Sequence, residues 1–328
     1  MFEMKQWSVW TLAAAWAGIA AAQPINVQQD FAGDPAAAGW AAYGDTNLFH
    51  WNPVNQNLEV TWDSSRTNSY FCHPLGTTLG ADDDFTVSFD LQIQQAAIVG
   101  YGFELAIGLL NLSSAMQPGF LRGTGNDTPN LVEFDYFPDP DGLLWWGPSL
   151  TMMMVDSIGT NSSHWSLGGY VGVELPANDV LRVQMAYSGA NRRLQTTITN
   201  LTSGGIVGPV PDAVLPPTFL SFYVDHIAVT SYSDRNGWGS LTAEGTVDNI
   251  SVTATPQVAP RLRGGFGAGG VWETAFLSHS NRSYTLQRTI NFDGWTNVAG
   301  PLPGTEGEMV MQDTNTVPVA ASYRVRVE

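Results

Sequence analysis

The sequence is poor in basic residues and almost devoid of lysine. Its 328 residues include 13 Lys+Arg against 30 Asp+Glu, a formal net charge of -17, and the only lysine is Lys5. So acidic a chain repels phosphate backbones, which excludes nucleic acid as an expected partner. Charged residues make up only 13% of the chain, about half the share usual in soluble domains.

Cysteine and long apolar runs are also scarce. The single cysteine, Cys72, excludes an intrachain disulfide and a cysteine-based metal site. The one long apolar run lies at the start, where Lys5 precedes residues 9–22 and the run ends in Ala20–Ala22. This small-x-small ending is typical of an export signal. We therefore predict a signal peptide over residues 1–22 and a secreted or cell-surface protein, with no transmembrane segment in the mature chain.

Helical periodicity is missing after the signal, and two-residue alternation takes its place. From Asp84 to Ile93 apolar and polar residues alternate, which indicates a half-buried strand. Turn motifs such as Asp139–Gly142 separate further segments of this kind. The other predicted strands are Leu58–Trp62, Phe103–Leu110, Leu131–Phe137, Leu150–Val155, Val180–Tyr187, Leu194–Leu201, Phe219–Val229 and Val247–Val252. The pattern predicts an all-β protein, with a sandwich of two antiparallel sheets over residues 23–255.

The composition changes at residue 256. Residues 256–270 are rich in proline and glycine, and no Lys-Ser/Thr follows the glycine run, so a linker or hairpin is predicted rather than a phosphate loop. Alternation returns in residues 271–328, which predicts a second, small β module. The entire net charge belongs to residues 23–255, with 23 acids and six arginines. This asymmetry favours cations as partners of the first module.

Acidic residues gather at the end of one predicted strand. Glu133 and Asp135 lie on the same face of that strand, and the chain then turns. Adjacent carboxylates repel one another, and a bound cation, a shared proton or solvent screening relieves the repulsion. Acid/base catalysis and an exposed polar face therefore stay open beside metal binding. Calcium prefers six to eight oxygen ligands, and the candidates are Glu133, Asp135, Asp139, Asp141 and the Phe137 carbonyl.

This strand carries a family resemblance. Residues 132–139, Val-Glu-Phe-Asp-Tyr-Phe-Pro-Asp, resemble the metal-binding strand of legume-type lectins. Residues 85–91 and 102–108 resemble neighbouring strands of concanavalin A-like sandwiches. The resemblance implies a concanavalin A-like jelly roll that binds extracellular glycans with calcium. The positions that match metal ligands of the family are Glu133, Asp135, Phe137 and Asp139.

Outside this motif, the match to the metal ligands of the family is incomplete. Leu144 and Ser149 stand where the resemblance places a further Asp and a His, so it implies neither a complete two-metal site nor the sugar site of the lectins. The closing strand Val-Asp-Asn-Ile resembles the last strand of carbohydrate-binding and laminin-G-like sandwiches. In several such families its Asp joins an acid near the amino terminus on a structural calcium. Asp248 with Asp30 or Asp34 is therefore a second cation candidate, and simple pairing of the terminal strands is its alternative.

Two alternatives to a lectin stay open. The same structural clan includes laminarinase-type glycoside hydrolases, and Glu133 and Asp135 match their nucleophile and its helper. The acid/base position falls on Phe137 or Pro138, although hydrolysis requires two carboxyl groups that flank the scissile bond. The third possibility is a structural cell-surface or matrix protein.

Aromatic residues in loops favour sugar binding. Exposed tryptophans stack on the apolar faces of sugar rings, although packing between loops would also explain them. The candidates are Trp145, Trp146, Trp165 and Trp238. In the second module, Tyr284–Arg288, Gly294–Val298 and Tyr323–Val327 resemble small fibronectin-III-like repeats, which implies a spacer or attachment role. The sequence thus predicts a secreted, calcium-supported, non-catalytic glycan-binding protein.

Overall fold

The computed structural model is nearly all β. It describes residues 24–100, 104–117, 128–140, 142, 147–157, 170–216, 218–234, 239–255, 262–267, 270–278, 283–305, 308–315 and 321–327. These residues form 22 strands, one short α-helix and one 3-10 turn. The predicted signal peptide lies outside them. Among the described residues, no helix combines the length and apolar character needed to cross a membrane.

Sixteen strands and both short helices precede residue 256. The strands are β1 (Ile25–Gln29), β2 (Ala41–Tyr43), β3 (Phe49–Asn52), β4 (Asn57–Asp63), β5 (Ser69–Gly80), β6 (Asp84–Gly100), β7 (Leu105–Leu110), β8 (Leu131–Phe137), β9 (Ser149–Val155), β10 (Val171–Gly172), β11 (Leu181–Ser188), β12 (Arg193–Asn200), β13 (Ile206–Val207), β14 (Ala213–Val214), β15 (Tyr223–Ser231) and β16 (Gly239–Thr255). The 3-10 turn is Thr46–Leu48, and α1 is Leu112–Ala115.

These strands form two antiparallel sheets. A nine-stranded sheet has the order β13-β12-β11-β6-β16-β4-β3, with β1 on β16 and β14 on β12, and a seven-stranded sheet has the order β10-β9-β8-β7-β15-β5-β2. The alternating apolar residues of β6 are buried between the sheets, as the contact of Phe89 with Phe134 at 5.8 Å between ring centroids illustrates. The predicted two-sheet sandwich is therefore confirmed.

The strands after residue 256 form two smaller sheets with a separate core. They are β17 (Arg263–Phe266), β18 (Trp272–Leu277), β19 (Ser283–Thr289), β20 (Thr296–Pro303), β21 (Glu308–Asp313) and β22 (Ser322–Val327), in the sheet orders β17-β18-β21 and β20-β19-β22. The core of these sheets comprises Phe276, Tyr284, Leu286, Met309 and Met311. The segment predicted as a linker or hairpin includes β17, which pairs with β18, so this part is a hairpin.

Candidate functional site

Glu133 and Asp135 lie in the interior of the seven-stranded sheet. Their strand, β8, runs between β7 and β9, and its other face sends Val132, Phe134 and Tyr136 into the core between the sheets. Glu133 and Asp135 therefore project from the opposite face, as the period-two pattern predicted. The neighbouring residues at the same levels are Gly108, Ala106, Met153 and Thr151.

Both carboxylate side chains are fully buried. Glu133 and Asp135 each have 0% exposure, so the alternative of an exposed, solvated strand face is wrong. Burial of a carboxylate is costly unless hydrogen bonds or opposite charges compensate it. Two buried acids on one face of a strand therefore indicate a functional site rather than a solvated surface.

The residue beside Glu133 is a glycine for steric reasons. Gly108 is the direct partner of Glu133 on β7. A Cβ atom on Gly108 would lie 2.6 Å from Glu133 Cα and 3.1 Å from Glu133 Cγ. The same Cβ would lie 2.3 Å from the Val132 carbonyl oxygen, so the close approach of the β8 main chain requires glycine at residue 108.

A buried tyrosine fixes one oxygen of Glu133. The hydroxyl of Tyr232 donates to Glu133 Oε1 at 2.7 Å, and Tyr232 is 1% exposed. Its ring meets Tyr70 edge-on at 6.2 Å, and the Tyr70 hydroxyl donates to the Ala115 carbonyl at 2.9 Å. The Glu133 carboxylate is thus tied through two tyrosines to α1. Sequence reasoning missed Tyr232 because it lies 99 residues from Glu133.

The other predicted calcium ligands are placed less favourably. Phe137 packs its ring against Tyr170 at 5.2 Å, and Asp139 is half-buried. Burial raises the pKa of Tyr136, and the charges of Glu174 and Asp139 add to that shift. Asp139 thus acts on a hydroxyl that lies on the face opposite to Glu133. Asp141 is outside the described residues.

No metal cluster is complete within the described part of the chain. There, no three His, Cys, Asp or Glu side chains are grouped so that they could hold a metal ion. Glu133 and Asp135 provide two adjacent carboxylates, and any further ligands must come from elsewhere. The calcium site therefore stays a prediction.

The second cation candidate contains an ion pair that the sequence did not reveal. Arg182 binds both oxygens of Asp90 at 2.7 Å, and Asp90 is the direct partner of Asp248 on β16. Asn249, at a bulge of β16, also donates to Asp90 at 2.9 Å. Burial raises the pKa of Asp248, and the charges of Asp90 and Asp30 raise it further. Asp248 and Asp30 therefore lie near each other, as predicted.

Asp34, the other predicted partner of Asp248, has a local role. Its Oδ1 accepts a hydrogen bond from the Ala36 amide at 2.9 Å, which caps the turn that follows. No contact or electrostatic effect between Asp34 and Asp248 is found within the described residues. Asp30 is thus the better candidate of the two.

A histidine and an aspartate form a pair on the seven-stranded sheet. Asp225 Oδ1 lies 2.6 Å from His226 Nδ1 and accepts from the Leu112 amide at 3.0 Å. Burial opposes ionisation of Asp225, but these bonds outweigh it and hold its pKa below the usual value. Burial of the neighbouring Cys72 raises the pKa of its thiol to about 12, and the charge of Asp225 adds to that shift. Cys72 is therefore a protonated thiol and not a nucleophile.

The predicted sugar-stacking residues are not among those that the structure describes. Trp145, Trp146, Trp165 and Trp238 all lie outside the described residues. Their role stays a prediction.

Comparison with known proteins identifies related folds but no family. No protein-family profile and no curated protein matches the chain. Among solved structures it is similar to peanut lectin (12% identity, TM-score 0.48, 71% of this chain and 98% of that one). It is also similar to basic winged bean lectin (13% identity, TM-score 0.48, 71% of this chain and 98% of that one). A third similar structure is the VIP36 exoplasmic/lumenal domain (12% identity, TM-score 0.39, 65% of this chain and 82% of that one).

These similarities concern the fold alone. Identities of 12 to 13% leave the function to be argued from this chain's own residues. The two-sheet antiparallel sandwich that the concanavalin A-like resemblance implied is present in this chain, whereas the fibronectin-III-like assignment of the last sheets stays a prediction.

Proposed function

We propose that the protein is a lectin-like carbohydrate-binding protein without catalytic activity, secreted through its signal peptide. The observation that carries this proposal is the fully buried, adjacent pair Glu133 and Asp135 on the outward face of the seven-stranded sheet. Selection for stability alone would place apolar residues there, because buried acids reduce stability. Arrangements of this kind are concentrated at functional sites.

The same burial argues against glycoside hydrolysis. A catalytic carboxyl group must touch the glycosidic oxygen or the anomeric carbon. Glu133 and Asp135 have no exposed surface, and Tyr232 already occupies Oε1 of Glu133. A pair in this position supports a binding surface from beneath, so the lectin-like role is favoured over the hydrolase.

Calcium is the cation that we propose for this pair. Glu133 and Asp135 fit a hard cation because both supply oxygen ligands from one face of β8. Bound calcium would neutralise the charge of the pair. The VIP36 domain noted above was solved in a form with Ca2+ and Man3GlcNAc bound, and the same combination is proposed for this chain.

A glycan array tests the proposal. The full chain is applied with about 1 mM calcium, which is about 1,000 times a dissociation constant of about 1 µM, and again with EDTA. We expect binding to a restricted set of glycans in calcium and its loss in EDTA.

Matched variants connect that binding to the site. Asp135→Asn should abolish glycan binding, while Asp83→Asn, which alters a buried aspartate that accepts from the Gly80 amide at 2.6 Å, should retain it. Absence of binding to any glycan, together with self-association, would favour the structural-protein alternative. Release of reducing ends from β-glucans that Glu133→Gln abolishes would favour the hydrolase.

A further inference from the structure

An aromatic pair lies at one edge of the seven-stranded sheet, on the face that carries Glu133 and Asp135. Phe137 ends β8 two residues after Asp135, so it projects from that face. Its ring meets the ring of Tyr170 edge-on at 5.2 Å and 75°. Tyr170 precedes the edge strand β10 and is 44% exposed. The contact with Phe137 thus orients a tyrosine ring that solvent can reach.

Beside this tyrosine the sheet has a gap in its side chains. Phe137, Ser149 and Gly172 are direct partners across β8, β9 and β10, and such partners share one face of a sheet. Tyr170 stands two residues before Gly172 and so projects from the same face. Gly172 is exposed, and a Cβ added there would meet no atom within 4 Å. The surface over Gly172 is therefore open.

A carboxylate bounds the gap on its other side. The Val173 amide donates to the Pro148 carbonyl at 3.2 Å, so the chain continues in register past the end of β10. Val173 is buried and Glu174 is exposed, so Glu174 and Gly172 lie on the same outer face. Tyr170 and Glu174 are separated by up to about 13 Å of extended chain. This span, which we call the Tyr170–Glu174 gap, accommodates one pyranose ring.

The gap is acidic. Burial raises the pKa of Tyr136, and the charges of Glu174 and Asp139 raise it further, so both carboxylates lie near this hydroxyl. The sequence has no lysine or arginine from residue 123 to residue 181, so β8, β9 and β10 supply neither cation to balance them. Like charges repel each other across an interface, and an anionic ligand is therefore disfavoured.

A buried hydroxyl adjoins the gap. Ser149 is 2% exposed, and its Oγ has no hydrogen-bond partner among the described residues. Buried polar groups are normally hydrogen-bonded, and an exception calls for an explanation. Because Ser149 is the direct partner of Gly172, a ligand hydroxyl that enters over Gly172 would supply the partner.

These surfaces together specify a sugar. Flat aromatic rings pack against the apolar C–H faces of pyranoses, while a carboxylate accepts hydrogen bonds from their hydroxyls. A peptide added as a strand would instead depend on main-chain bonds to the edge of β10. That strand has only two residues, Val171 and Gly172, so it offers too few such bonds for strand addition.

We propose that the Tyr170–Glu174 gap binds one neutral pyranose residue of a glycan, with Tyr170 against its apolar face and Glu174 accepting from its hydroxyls. This inference rests on the carbohydrate-binding function proposed above and adds the place and the class of the sugar. Thr151 is the partner of Asp135 and, by the register of β9 with β10, the neighbour of Tyr170. Asp135 and Tyr170 are thus two strand spacings, roughly 10 Å, apart on one face, so a cation on Asp135 would lie near the bound sugar.

A glycan array in calcium, applied to the full chain, tests this inference. The array carries neutral glycans and their sialylated counterparts, and the strongest ligand is then titrated against two variants. We expect the unmodified chain to bind neutral glycans and to reject the sialylated ones. Tyr170→Ala should weaken binding about tenfold. Tyr43→Ala should leave it unchanged, because Tyr43 is 37% exposed on β2, at the opposite edge of the same sheet.

The outcomes separate this inference from the function on which it rests. Equal affinities of Tyr170→Ala and Tyr43→Ala, or a preference of the unmodified chain for sialylated glycans, would overturn the inference and leave the lectin-like function standing. Absence of binding by the unmodified chain would overturn both.

Two further variants do not depend on the loss of an aromatic contact. Gly172→Val fills the gap, where a Cβ meets no atom within 4 Å, so it should abolish binding without lowering the melting temperature. Gly265→Val is its control, at an equally open position of the second module. Glu174→Gln should weaken neutral-glycan binding and strengthen binding of the sialylated counterparts, each on the order of threefold. Undiminished binding by Gly172→Val would also overturn the proposal.

Discussion

Tyr232 and Glu133 are joined by a 2.7 Å hydrogen bond between side chains that lie 99 residues apart and are both buried. Strand β7 lies between β8, which carries Glu133, and β15, which ends one residue before Tyr232. The tyrosine thus reaches across a strand to hold the carboxylate. This contact makes Tyr232 part of the candidate site.

Removal of the Tyr232 hydroxyl should weaken both stability and binding. Tyr232→Phe deletes a donor to a buried carboxylate, which costs about 1.5 to 3 kcal/mol of unfolding free energy. Tyr187→Phe is the control, because its buried hydroxyl donates to the Ala81 carbonyl at 2.8 Å, away from Glu133. Urea unfolding and glycan titration should show stability losses in both variants but a loss of affinity only in Tyr232→Phe. Unchanged affinity there would remove Tyr232 from the site.

A methyl group at residue 108 should not be tolerated. Gly108→Ala places a carbon within contact distance of the Glu133 main chain, and such overpacking costs about 1 to 3 kcal/mol. Gly172→Ala is the matched control, since a Cβ at Gly172 in the same sheet meets no atom within 4 Å. Thermal unfolding should show a clear loss for the first variant and less than about 0.5 kcal/mol for the second. Equal effects would contradict the packing argument.

The sheet framework was predictable because its signal is local. The alternation in residues 84–93 predicted β6, which continues to Gly100, and the motif strand 131–137 coincides with β8. The predicted strand Phe219–Val229 begins four residues later, at Tyr223, because Phe219 and Phe222 are buried as loop residues. Apolar residues buried in a loop cannot be distinguished from strand residues by alternation, so the start of this strand was predicted too early.

The site was predictable only where one strand carries it. Glu133 and Asp135 were found because both lie on β8, and alternation alone puts them on one face. Asp90 and Arg182 were missed because their ion pair depends on the register of β6 with β11, which is a non-local property. The place of Tyr170 beside Thr151 likewise follows only from the pairing of β10 with β9.

Neutralisation of Asp248 should stabilise the metal-free protein. A raised carboxyl pKa means that the folded state prefers the protonated form, so the contribution to stability is full below the unfolded pKa and is lost as pH rises through the folded one. Asp248→Asn should therefore raise the melting temperature at pH 7 in EDTA. The gain in unfolding free energy should be less than about 1 kcal/mol, because the group is partly solvated. The difference should vanish near pH 3, below the ordinary carboxyl pKa of about 3.9.

Calcium should reverse the order of the melting temperatures, so that the unmodified chain becomes more stable than Asp248→Asn. Ligand binding stabilises the folded state by mass action, so calcium should raise the melting temperature of the unmodified chain more than that of Asp248→Asn if Asp248 and Asp30 hold a cation. Asp34→Asn is the control, since Asp34 caps its own turn. An equal calcium response in all three proteins would eliminate Asp248 as a ligand.

Asp313 should govern the acid stability of the second module. Its side chain has no exposed surface and accepts from Arg288 at 2.7 Å and Tyr323 at 3.0 Å. Burial opposes its ionisation, but the hydrogen bonds and the arginine outweigh burial and lower its pKa. The resulting stabilisation is present above the unfolded carboxyl pKa of about 3.9 and is lost as pH falls through the lower folded value.

Asp313→Asn therefore gives a pH-dependent loss. At pH 7 it weakens a charge-assisted hydrogen bond of the half-buried Arg288, which costs about 1.5 to 3 kcal/mol, and the deficit should shrink as the pH is lowered below about 4. Hydrogen exchange in residues 283–289 measures this module separately from the first. Asp293→Asn, an exposed change in the same module, should have little effect at any pH. A deficit in Asp313→Asn that stays constant from pH 7 to pH 2 would show that packing, rather than the charge of Asp313, stabilises this core.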